Sequence, residues 1–175
     1  VSTQRVTEIL ELSRTNDGNG VRSSTYATDY IYQGKCYSFS QRFTVPAATN
    51  LIIVFDISAT DREISLYTPV LAATTGPINI DYYMGSDYTG GTACLVNNRA
   101  AYGSASQVSV KQGATGSEKG TLFSQDMVLS AHKSAGTSIE GLEFVPMQDS
   151  NILMELDNTN GTDATVLIKF VWFEV

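Results

Sequence analysis

The stretch NILMELDNTNGTDATVLIKFVWFEV, residues 151–175, decides the fold class. Ile152, Met154 and Leu156 recur at every second position, and Val166, Ile168, Phe170 and Trp172 do the same after the polar run Asp157 to Asp163. A period of two is that of a strand with one buried face. Asn160-Gly161 between two such runs predicts a hairpin with an Asn-Gly turn region.

The same alternation runs back through the chain. Tyr37, Phe39, Phe43 and Val45 oppose Ser38, Ser40, Arg42 and Thr44, and Pro46 ends that strand. Leu51 to Ser58 is apolar on both faces at its start, which predicts a central strand. Ile64, Leu66 and Val70 predict a third strand. Ile78, Ile80, Tyr82 and Met84 predict a fourth after the Thr74-Thr75-Gly76-Pro77 turn. Residues 85–120 are rich in Gly, Ser, Thr and Asn, with one short alternating run at Val108 and Val110, and read as loops around one or two short strands. Met127, Leu129 and Ala131, then Leu142, Phe144 and Pro146, predict short edge elements.

About eight short strands with long connections predict one all-β domain, an antiparallel β-sandwich of Greek-key or jelly-roll type, over residues 35–175. Residues 1–34 are expected to form an N-terminal arm. Val6, Ile9, Leu10 and Ser13 suit either one or two helical turns or an extended segment before the break at Asn16 to Gly20.

At 175 residues the chain is long enough to bury its own core. Its longest apolar run, Leu51 to Phe55, is strand-sized, and Val1 to Arg14 lacks the apolar stretch of a secretory signal. No membrane partner is therefore expected. Eleven basic and eighteen acidic residues, with no Lys/Arg cluster, argue against nucleic acid. Cys36 and Cys94 lack zinc or redox spacing and are expected to be buried free thiols.

Catalytic chemistry has few candidates. His132 is the only histidine; Ser124 and Asp126 lie nearby, but no nucleophile elbow is present. A three-ligand zinc site cannot be assembled from one histidine and two distant cysteines. Asn16, Asp17 and Asn19, and Asp157, Asn158, Asn160 and Asp163, offer calcium-type oxygens, but turns select the same residues. Asp56, Asp61, Glu63, Asp81 and Asp87 are candidate paired carboxylates, with solvated strand ends as the plainer reading. Met84 to Thr92 lacks phosphate-loop spacing. Tyr82, Tyr83, Tyr88 and Tyr102 gather around that loop and invite a sugar-stacking platform, although Tyr82 lies on an apolar face. Neither an enzyme nor a cofactor is expected.

Residues 77–175 resemble the small β-sandwich virion proteins of tailed bacteriophages that decorate or attach to the head. The resemblance is carried by the strand into Tyr83-Met84-Gly85, by Thr89-Gly90-Gly91-Thr92, by the Asn97-Asn98-Arg99 turn, by the Ser/Gly-rich stretch, and by Thr165 to Glu174. It implies a structural protein on the outer surface of a capsid, made in the host cytoplasm, assembling as a homotrimer and binding the major capsid protein. Tail-fibre and receptor-binding modules share the architecture, so a carbohydrate- or receptor-binding role is the alternative. Leu167, Val171 and Phe173, on the outward face of the last strand, are the expected trimer contacts, or else a second layer of the chain's own core. Val6, Ile9, Leu10 and Leu12 are the expected capsid anchor.

Overall fold

A computed structural model describes residues 30–67, 70–101, 103–129, 133–134, 143–144 and 150–175. Its strands are β1 (Cys36–Val45), β2 (Thr49–Asp56), β3 (Ile64–Tyr67), β4 (Val70–Ala73), β5 (Ile78–Met84), β6 (Asp87–Thr89), β7 (Thr92–Ala93) and β8 (Val96–Asn98). There follow β9 (Ser109–Gln112), β10 (Thr115–Glu118), β11 (Thr121–Val128), β12 (Lys133–Ser134), β13 (Glu143–Phe144), β14 (Ile152–Asn158) and β15 (Ala164–Glu174). The chain is an all-β antiparallel sandwich. One sheet has the order β12-β4-β15-β1-β8, with β3 pairing β13 and β15; the other has the order β11-β5-β14-β2-β9-β7. A two-stranded ribbon, β10-β6, stands apart.

The pairings are nested. β1 pairs β15, β2 pairs β14, β4 pairs β12 and β5 pairs β11, so the chain folds back along itself while crossing between the two sheets. The inward residues of β1 and β15 then face those of β2, β5 and β14. Tyr37, Phe39, Phe43 and Val45 are buried while Ser40, Arg42 and Thr44 are exposed, as their alternation predicts. Trp172, Tyr37, Phe39, Phe55 and Phe170 form the aromatic centre. Tyr37 stacks on Trp172 at 6.1 Å, and Phe170 meets Phe55 edge to face at 4.3 Å. Each such buried side chain contributes about 1.5–3 kcal/mol.

The predicted hairpin at residues 152–172 is not one. β14 belongs to one sheet and β15 to the other, so Asp157 to Asp163 is a corner between sheets. Asn158 sets it: its side chain is fully buried, and its amide donates to the carbonyls of Val45, Pro46 and Thr162 while its Oδ1 accepts from Asn160 N. The neighbouring β1–β2 corner is tied in, since Ala47 N donates to Asp163 Oδ1 and Ala48 N to the Asn160 carbonyl. Asn, Asp and Gly suit any tight reversal of the backbone, and nothing in their chemistry says whether the next strand returns beside the last or across the core.

Two other expectations shift. The single strand expected from Ile64 to Val70 is two, β3 and β4, both paired with β15. The Gly-rich stretch 85–120 carries β6 to β10, more strands than Val108 and Val110 alone predict. β2 is interior to its sheet, between β14 and β9, and β11 is an edge strand that begins at Thr121. Of the arm expected over residues 1–34, only residues 30–34 are described. Among the described residues no helix is long and apolar enough to cross a membrane.

Candidate functional site

His132, Tyr102, Val6, Ile9, Leu10, Leu12 and the Asn16-Asp17-Asn19 loop lie outside the described residues. Cys36 is buried, Cys94 half-buried, and both are free. Burial pushes both thiols above their ordinary value, with Arg99 offsetting part of the effect at Cys36, so neither is poised as a thiolate. Among the described residues no three His, Cys, Asp or Glu side chains are placed to hold a metal ion. In the Asp157–Asp163 loop, Asn158 and Asp163 hydrogen-bond backbone groups of the corner, and Asn160 Nδ2 donates to the Pro77 carbonyl and to Asn158 Oδ1.

The three described tyrosines, Tyr82, Tyr83 and Tyr88, do not share a platform. Tyr82 points into the core and donates to Asp126 Oδ2 at 3.2 Å; burial, reinforced by that carboxylate, pushes its phenol far above the ordinary value. Tyr88 donates to Asp56 Oδ2 at 2.5 Å and accepts from Lys111 Nζ at 2.5 Å, with the ammonium 4.8 Å from its ring. Burial pushes the Asp56 carboxyl upward, but hydrogen bonds from Ser58, Tyr88 and Lys111 outweigh it and hold the group below the ordinary carboxylate value. This cluster fastens the β6–β10 ribbon to the end of β2. Beneath the ribbon, Val54 and Leu153 are buried with Ala114, and Ile52 and Tyr83 pack against them.

Beside the ribbon the outer face of the β11-β5-β14-β2 sheet is open, as a groove of about 690 Å³. The register lines up its floor in rungs. Gln125, Asp81 and Glu155 sit side by side on β11, β5 and β14, and Met127, Asn79 and Asp157 form the next rung. Gln125 Nε2 donates to Asp81 Oδ1 at 2.8 Å, and the Tyr83 hydroxyl donates to Asp81 Oδ2 at 3.2 Å. Glu155, 8 % exposed, accepts from Asn50 Nδ2 and from Lys119 Nζ, both at 2.6 Å. Lys119, which follows β10, also lies 5.5 Å from the Tyr83 ring and forms the wall on the ribbon side. The candidate acids Asp56 and Asp81 are therefore apart, and Asp81 is joined instead by Glu155 and Asp157. No period-two reading could find that set, because it depends on which strands are neighbours.

Two further surfaces face outward. Leu167 and Val171 are half-buried on the outer face of the first sheet, beside Ala72 and Ser38 respectively. Phe173, expected to share that face as a contact, is 2 % exposed, with the Tyr30 ring 5.4 Å away. It is buried by the chain's own residues, because the segment leading into β1 folds across the end of β15. On edge strand β11 and just after it, Leu122, Met127 and Leu129 are exposed, Met127 by 60 %.

No protein-family model matches the chain, and no curated protein matches it at a significant level.

Proposed function

We propose that the chain is a non-enzymatic structural protein of a tailed-phage virion, binding the outer surface of the capsid as a homotrimer and stabilising the shell. The observation that carries this is the nested pairing of β1 with β15, β2 with β14, β4 with β12 and β5 with β11 across two sheets. We read that order as supporting a jelly roll, an architecture used by capsid and lectin domains. The warrant is architectural, joined to the resemblance of residues 77–175. A cement needs no cleavage or transfer: it binds the assembled shell in preference to the free subunit, and its binding energy becomes shell stability.

Leu167 and Val171, with half-buried Val70 and Ala72 on the neighbouring strand, give the trimer contact its apolar centre, and exposed Arg42 and Lys169 its rim. Val6, Ile9, Leu10 and Leu12 anchor the arm to the major capsid protein. The open groove favours a second reading, a carbohydrate- or receptor-binding module of a fibre or tail.

The test is light scattering on the size-exclusion peak, followed by sedimentation with capsids assembled without the protein. A mass three times the 18.9 kDa protomer and co-sedimentation support the proposal. A monomer that stays in the supernatant overturns it.

A further inference from the structure

The outer face of the β11-β5-β14-β2 sheet is divided. Its β2 side is apolar and covered: a Cβ at Gly116 of the ribbon would lie 3.0 Å from Leu153 Cδ1, so ribbon and sheet are in van der Waals contact there. Its β11 side is polar and open. We propose that this open groove is a binding site for a neutral oligosaccharide, a reading independent of where in a virion the chain sits.

A volume of about 690 Å³ falls within the roughly 300–1,000 Å³ of small-molecule sites. Three carboxylates, Asp81, Glu155 and Asp157, face one ammonium, Lys119, which excludes phosphate, sulfate and other anionic ligands. The lining is too polar for an apolar ligand.

What distinguishes a polyol from a cation is how those carboxylates are engaged. Asp81 already accepts two hydrogen bonds from the protein, and Glu155 two. Their charge is spread over internal donors and their planes are fixed, which suits acceptance from a hydroxyl more than pairing with an ammonium. Asn79 and Asp157 are cross-strand neighbours with no side-chain hydrogen bond between them or to another described side chain. A carboxamide beside a carboxylate presents donors next to acceptors, and adjacent sugar hydroxyls, each both donor and acceptor, can use both. The two rungs stand about 6.8 Å apart along the strands, so more than one ring can be read at once. Met127 and the Tyr83 ring supply apolar surface for the C–H faces of a sugar.

Saturation-transfer NMR on the full chain, with cellotriose, maltotriose, mannotriose and chitotriose as probes, tests this. At least one is expected to receive saturation. Asp157→Ala and Gln125→Ala are each expected to weaken its binding about tenfold, the loss of one or two hydrogen bonds. Thr44→Ala, on the opposite sheet, is expected to leave it unchanged. Gln125 and Thr44 are exposed and Asp157 half-buried, and a melting curve for each variant confirms that the fold is retained. No transfer to any of the four at about 10 mM overturns the proposal. So does transfer that survives both groove variants, or a groove that takes trilysine in an Asp157-dependent manner and none of the sugars. Capsid sedimentation is scored separately, so failure of one reading is not failure of the other.

Discussion

Glu174 has no exposed surface, yet its carboxylate accepts from Arg62 Nη1 at 2.9 Å, Ser106 Oγ at 2.5 Å and Gln107 N at 3.0 Å. It therefore pins the loop before β9 to the end of β15. Removing a buried partner leaves the others unsatisfied, so Glu174→Ala is expected to cost about 3 kcal/mol, read as a lower urea midpoint. Asn158→Ala orphans three carbonyls at the corner between sheets and is expected to cost about 2–3 kcal/mol by the same assay. Asp56 sets a pH dependence. Its folded value lies below the unfolded value of about 3.9, so the stability it contributes is present above that pH and lost as pH falls through the folded value. Asp56→Asn is expected to flatten that part of the acid limb in thermal melts taken between about pH 5 and pH 2. Neither Glu174 nor Asn158 stands out in the sequence: one is an acid at the end of an apolar strand, the other one of several turn formers.

Among the elements, what was legible was the face of each strand. In β1 and β5 the alternation of side chains matches burial closely, because a period of two belongs to the backbone itself, whereas β2 is buried on both faces where its sequence is apolar on both. Which sheet a strand joins was not legible. Ile152–Leu156 and Val166–Trp172 present the same pattern whether they pair with each other or pack across the core. The groove was hidden for that reason: Asp81, Glu155 and Gln125 lie on three strands far apart in sequence and share a rung only in the folded register. The turn from β10 into β11 is where a glycine is required. Gly120 has φ +70°, and a Cβ there would lie 2.2 Å from the Met84 carbonyl. Gly120→Ala is expected to destabilise by at least about 2 kcal/mol in the same denaturant assay, through backbone strain and a contact that no rotamer can relieve.

At the scale of the whole molecule, the two outer faces of the sandwich differ in kind. One carries half-buried Leu167, Val171, Val70 and Ala72; the other carries a polar groove walled by a ribbon. Leu167→Asp is expected to shift the light-scattering mass from that of the proposed trimer to that of a monomer with little change in the melting of the protomer, because the side chain is already partly solvated. Fold class was readable from composition and alternation, whereas the separation of the two faces depends on nested pairings, the outermost of which joins residues more than a hundred positions apart. The most direct test of the central claim is the melting temperature of phage capsids assembled without this chain, measured by calorimetry before and after saturation with it. The account predicts an upward shift that grows with occupancy, as mass action requires. Capsids whose melting is unchanged at saturation would contradict it.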